Sequence, residues 1–155
     1  MKKNFIVFLV IFIFLSSCGF KVINLSELND YYISDVKSDG EVKINFIIKS
    51  KLLNAFSDKN KKNIVIKLRS NKIKSVKEKN INNQITKFEI KISAYVTVLE
   101  NEKEKLNFTI NKEGDYLVEN RHTDTLSNEK NLEKLLSSNL AKEVLNQLTI
   151  KLHDL

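Results

Sequence analysis

Phe88-Glu89-Ile90-Lys91-Ile92-Ser93-Ala94-Tyr95-Val96-Thr97-Val98 is the stretch that decides the fold. Side chains leave a strand on alternate faces, so Phe88, Ile90, Ile92, Ala94, Val96 and Val98 share one face, while Lys87, Glu89, Lys91, Ser93 and Thr97 share the other. A long strand with one dry and one wet face belongs in an antiparallel sheet that needs covering on its dry side only. Upstream, Ile64, Ile66 and Leu68 alternate with Val65, Lys67 and Arg69; Ser70-Asn71 then breaks the rhythm before Ile73 and Val76, and a bulge is expected there. Downstream, residues 101–104 turn the chain, and Leu106, Phe108, Ile110, Tyr116 and Val118 keep one parity across Gly114, a third long strand in series.

Helical periods flank this block. Ile44, Ile47, Ile48, Leu52, Ala55 and Phe56 fall on one helical face, widened by Phe46 and Leu53, which predicts a helix over 41–57. Ser38 and Glu41 have the spacing of a capping box at its start. Before it, residues 28–36, with Tyr31, Tyr32, Ile33 and Val36, read as a first strand, and residues 58–63 read as a loop. From Ser127 the helical period returns: Leu132, Leu135, Leu136, Leu140, Val144, Leu145, Leu148 and Leu152 form an apolar stripe. Glu129 and Glu133 near its start and Lys151 near its end suit the helix dipole. The expected fold is α+β, a four-stranded, mostly antiparallel sheet with two helices packed on one face, in the order β-α-β-β-β-α.

The N-terminal end carries a different message. Met1-Lys2-Lys3-Asn4 is followed by eleven apolar residues, Phe5 to Leu15, then Ser16 and Ser17. This is the anatomy of a cleavable secretory signal over 1–17. Eleven apolar residues rise about 16 Å as a helix against roughly 30 Å of hydrocarbon, so a permanent span is the weaker alternative. Leu15-Ser16-Ser17-Cys18-Gly19 resembles the lipobox of bacterial lipoproteins, in which the cysteine is acylated and becomes the new N-terminus. The alternative is an ordinary signal with a chance cysteine beside its cleavage site, but Cys18 is the only cysteine, so no disulfide can form within the chain. Residues 18–27 form a lipidated N-terminus and short tether, and 28–155 one domain.

The 155 residues carry a formal charge of +7. Lysine, asparagine and isoleucine number 24, 19 and 17, proline is absent and arginine occurs twice, so AT-rich coding explains the lysines as well as attraction to anionic headgroups or sugars does. Nucleic acid is an improbable partner for an exported chain. Two distant histidines, His122 and His153, make a zinc site improbable. Three glycines leave no phosphate-cradling loop, and the sole cysteine is committed to lipid. His122 with Asp124 reads as a solvated pair, and neither enzymatic activity nor a cofactor is expected.

The layout as a whole resembles the LPS-assembly lipoprotein family, the small outer-membrane partner of the β-barrel that delivers lipopolysaccharide to the cell surface. The resemblance rests on Cys18-Gly19-Phe20-Lys21, on Ala94-Tyr95-Val96-Thr97-Val98-Leu99 within the long strand, and on the leucine-striped final helix. It implies a non-enzymatic scaffold and plug on the periplasmic side of the outer membrane, held by acyl chains on Cys18, with the translocon barrel and lipopolysaccharide as partners. Gly19 fits outer-membrane sorting. An anionic glycolipid needs cations presented together at one end of the sheet. Lys72, Lys74, Lys77 and Lys79 approach a hairpin expected near 80–83, and Arg121 and Lys130 lie near the start of the last helix. The plainer reading of each lysine alone is a solvated rim, and the family's basic contact residues do not transfer position by position. The competing reading is a periplasmic regulatory lipoprotein that docks and activates a cell-wall enzyme; a tether of only residues 19–27 gives it poor reach.

Overall fold

The structure, a computed structural model, describes residues 30–58 and 61–154; the signal, Cys18 and the tether lie outside the described residues. Its elements are β1 (Tyr31–Gly40), α1 (Val42–Ala55), β2 (Lys62–Lys79), β3 (Ile85–Glu100), β4 (Lys103–Leu117) and α2 (His122–His153). The strands lie side by side in chain order. β1 runs parallel to β2, and β2–β3 and β3–β4 are antiparallel, giving the expected α+β fold with a mixed sheet. The parallel pair follows from α1, because a crossover helix returns the chain to the end of the sheet it started from.

The alternation in β3 becomes the floor of the core. Ile90, Ile92, Ala94, Val96 and Val98 are buried, joined by Ile64, Ile66 and Leu68 of β2 and by Ile110 and Tyr116 of β4. On top, α1 contributes Ile44, Ile48 and Leu52 at a four-residue spacing, and α2 contributes Leu136, Leu140, Ala141, Val144, Leu148 and Leu152. Full burial of one such side chain stabilises by about 1.5–3 kcal/mol, which outweighs the modest helix propensity of the β-branched residues in α1. α1 lies against β1 and β2, and α2 against β3, β4 and α1.

Several local expectations change. Ser38 does not cap α1: it stays in β1 opposite Leu68, Glu41 is the N-cap residue, and no side chain caps the helix. The junction is instead held by Ser70. The Glu41 N–H donates to Ser70 Oγ at 3.1 Å, and that hydroxyl donates to the Glu41 carbonyl at 3.2 Å. Ser70, expected to mark a bulge, is thus a buried anchor inside an unbroken ladder; the register shifts fall later, between Val76 and Lys79. β1 extends to Gly40 beyond the expected end at residue 36, and β2 starts at Lys62 inside the expected loop. α2 starts at His122, five residues before Ser127, where Thr125 Oγ1 accepts the Glu119 N–H at 2.8 Å. Leu135 is exposed on the flank of α2 rather than in its stripe.

Both hairpins obey turn chemistry. Asn101 and Glu102, at φ 50° and 64°, make the two-residue turn whose left-handed backbone matches strand twist. In the other, Asn83 takes φ 61° and Asn80 Oδ1 accepts the N–H groups of Asn82 and Gln84.

Gly40 is the tighter of the two glycines among the described residues. It has φ +93°, and a Cβ there would stand 1.9 Å from the Ser70 carbonyl oxygen. Gly114 is different: a Cβ there would meet the flexible end of Leu132 at 2.9 Å. Gly40→Ala is expected to lower unfolding free energy by about 2–4 kcal/mol in urea titration, and Gly114→Ala by less than about 1.5 kcal/mol, since only one side chain must move.

Candidate functional site

The six cations singled out from the sequence are not one patch. Lys72 and Lys74 continue the helix-facing parity of Ile64, Ile66 and Leu68 in β2, and both are tied to α2. Lys72 Nζ is 3.2 Å from Glu133 Oε2, and Lys74 Nζ is 2.6 Å from Glu129 Oε2. Lys77 sits on the opposite face, 3.0 Å from Asp115 Oδ1 and 3.4 Å from Glu89 Oε1. The bond to Asp115, helped by Glu89, holds the Lys77 ammonium above its ordinary value, and Lys77 holds Asp115 below the usual carboxylate range. Lys79, at the end of β2, is exposed and makes no ion pair among the described residues. Arg121 is the N-cap residue of α2 and reaches Asp124 at 3.7 Å. Lys130 lines a groove between the two helices. Cys18 lies outside the described residues.

Lys74 is the centre of a structural cluster. Its Nζ lies 4.4 Å from the Phe88 ring centroid and 5.4 Å from that of Tyr116, and these two rings stack at 5.8 Å. The Tyr116 hydroxyl donates to Glu129 Oε2 at 2.8 Å. Burial works to lower the Lys74 ammonium, but Glu129 and Tyr116 outweigh it and raise it above the ordinary lysine value. The hydrogen bond from Lys74 in turn holds the Glu129 carboxyl below the usual range, against the upward push of burial. Glu129 and Glu133 therefore anchor α2 to β2 instead of serving the helix dipole; Asp124 occupies the acidic place in the first turn.

The bare face of the sheet brings together residues the sequence reading did not single out. Lys37 of β1 stands directly opposite Lys67 of β2, with Asp39 opposite Arg69 in the same ladder. Across β2, Thr97 pairs with Lys67 and Tyr95 with Arg69. These side chains line an open concavity together with Asn71. Like charges directly opposite one another are unfavourable in a sheet. Neither Lys37 nor Lys67 takes part in an ion pair among the described residues, and Arg69 meets Asp39 at 3.2 Å in an open, solvated pair. Tyr95 is 46% exposed in the middle of the sheet. Lys37, Lys67 and Arg69, the last offset by Asp39, together with the Tyr95 face and the small polar groups of Asn71 and Thr97, can offer an anion charge-assisted bonds and a ring a flat surface. The residues lie 30 positions apart in the chain, and only a parallel β1–β2 pairing brings Lys37 beside Lys67. The strand-helix-strand order is the one signal in the sequence that could have pointed to that pairing.

No helix among the described residues is long and apolar enough to cross a membrane. No cluster of three or more metal-binding side chains occurs among them either.

A mixed four-stranded sheet covered on one face by two helices is an architecture found in bacterial lipoproteins. The chain superposes on rare lipoprotein B from Shewanella oneidensis with a TM-score of 0.54 and 18% identity, over 74% of this chain and 92% of that one. The minor lipoprotein from Acinetobacter baumannii matches with a TM-score of 0.57 and 12% identity, over 75% and 90%. Lipoprotein B from Nitrosomonas europaea gives 0.57 and 12%, over 84% and 90%. What is shared at these identities is the fold. No protein family and no curated protein matches the sequence.

Glu129→Gln is expected to lower stability by about 1 kcal/mol at neutral pH. Because the folded carboxyl is depressed, its contribution is present above the ordinary value of 4.5 and lost as pH falls through the lower folded value. The difference between the native chain and the variant should therefore shrink in acid, as read by urea unfolding at pH 7 and pH 3. Tyr116→Phe, which keeps the ring beneath Lys74 but removes the hydroxyl, should lose less than Tyr116→Ala.

Proposed function

We propose that this chain is an outer-membrane lipoprotein, anchored through Cys18, that assembles with the lipopolysaccharide translocon barrel, plugs its lumen and presents a polar surface to lipopolysaccharide in transit. It acts as a scaffold, without catalysis. The observation that carries the reading is the cation pair Lys37 and Lys67, without an ion-pair partner among the described residues, beside Arg69 and Tyr95 on the sheet face opposite α1 and α2. An anionic glycolipid relieves the repulsion between these lysines and gains a sugar platform in Tyr95. Elsewhere on that face, around the exposed Ile73 and Leu117, the cross-strand ion pairs Lys91–Glu113 and Lys77–Asp115 supply the polar exterior a domain needs inside a polar barrel lumen. The shared architecture with bacterial lipoproteins and the resemblance of Cys18-Gly19-Phe20-Lys21 to the LPS-assembly lipoproteins support the same reading.

Mild-detergent purification of the tagged chain from its own membranes tests it. A large β-barrel is expected near one-to-one, with lipopolysaccharide in the eluate. The Lys37→Glu, Lys67→Glu double variant should retain the barrel and lower the recovered lipopolysaccharide by about fivefold or more, as loss of two charge-assisted contacts implies. Recovery of a cell-wall synthase in place of the barrel, or of no partner, would sink the proposal.

A further inference from the structure

The outer surface of the helical layer carries a second feature, remote from the bare sheet face. Between the first turns of α1 and the middle of α2 runs a groove of about 580 Å3 lined by Val42, Phe46 and Ile47 on one bank and by Lys130, Lys134 and Ser137 on the other. Val42 is 80% and Phe46 70% exposed, one helical turn apart, whereas the apolar row Ile44, Ile48 and Leu52 of the same helix is buried in the core. Three lysines, Lys43, Lys130 and Lys134, rim the groove, and none of them makes an ion pair among the described residues. The carboxylate at the groove, Glu133, is already held by Lys72. Lys130 and Lys134 are like charges four residues apart on one helix, an unfavourable arrangement unless an anion lies between or above them.

We propose that this groove binds an anionic phospholipid, with the end of one acyl chain along Val42, Phe46 and Ile47 and the headgroup phosphate on Lys43, Lys130 and Lys134. The walls select a chain of this kind. Both are α-helices whose backbone groups are bonded internally, so an extended peptide laid between them would find no partners for its own N–H and C=O groups. An acyl chain has none to satisfy. The volume is that of a small-ligand site and takes one chain, and the rim matches a single anionic head. The inference does not rest on lipopolysaccharide, and beside the barrel it requires that the sheet enter the lumen while the helical layer stays at the periplasmic mouth, within reach of the inner leaflet.

The test uses the full-length chain in nanodiscs containing phosphatidylglycerol with a diazirine near the end of one acyl chain, the labelled residues being mapped by mass spectrometry. Labelling is expected within 42–47 and 130–137. Phe46→Asp, and separately the triple variant Lys43→Glu, Lys130→Glu, Lys134→Glu, should each lower it by about fivefold or more, with circular dichroism unchanged. Phe46→Leu should retain it. Labelling confined to other parts of the chain, equal labelling from a neutral phosphatidylcholine probe, or groove labelling that survives both charged variants would overturn the assignment. In cells, a photo-crosslinking amino acid at position 46 should capture lipid; capture of a second copy or of an acidic protein segment would overturn it as well.

Discussion

One-sided burial of a sheet that is longer than its cover governs this molecule. β2 has 18 residues and spans about 60 Å, whereas the 14 residues of α1 span about 21 Å. β1 and α1 both give out at the level of Ser70, where the Glu41 backbone is bonded to the Ser70 side chain. Up to that level the helix-facing positions of β2 are Ile64, Ile66 and Leu68; past it they are Lys72 and Lys74. Apolar side chains there would stand in water beyond the reach of α1. The longer α2 still passes over this end, and it meets the lysines with Glu133 and Glu129 instead of leucines. The stacked Phe88 and Tyr116 rings supply the remaining contact, with the Lys74 ammonium above them.

The same constraint separates lysines that hold the fold from lysines with no carboxylate beside them among the described residues. Cations under α2 have carboxylates supplied by the helix, and Lys77 has Asp115 and Glu89 from neighbouring strands. On the bare face Lys37 and Lys67, and on the outer surface of the helical pair Lys43, Lys130 and Lys134, have no such carboxylate among the described residues. Lys37 and Lys67 are forced side by side by the parallel ladder, and Lys130 and Lys134 by the pitch of α2. Both sets are arranged at some cost in repulsion, and both lie beside aromatic surface, Tyr95 in one case and Phe46 in the other. An excess of lysine that composition alone leaves open to a coding explanation thus divides into two groups once the neighbours of each are known.

Gly40 connects these two regions mechanically. Its positive φ turns β1 into α1 within one residue, so that Asp39 remains in the ladder beside Arg69 while Val42 already stands on the outside of the helix. The sheet-face concavity and the helical groove are built from segments on either side of this single turn. A residue with a Cβ at position 40 would press on the Ser70 carbonyl and loosen both at once.

Period, and little else, made the fold legible. The twofold alternation through Phe88 to Val98 and the four-residue spacing of Ile44, Ile48 and Leu52 depend on local geometry, so the order of elements, the fold class and most of the core could be read from residues in a row. Ends were less legible: Ser38 and Glu41 carry the spacing of a cap, but a tertiary bond to Ser70 removed the need for one. The two proposed sites were scarcely legible: of the six cations singled out from the sequence, only Lys130 lines either of them. Lys72 and Lys74 look like candidates in a string of letters because nothing in that string places Glu133 and Glu129 beside them, and Lys37 and Lys67 look unremarkable because their adjacency exists only across a parallel ladder closed by α1. By itself the sequence determined most of the dry faces, with Phe46 and Leu135 as the exceptions that stand in solvent. The tertiary structure decided which charges are paired, because pairing depends on distance in space and not on spacing along the chain.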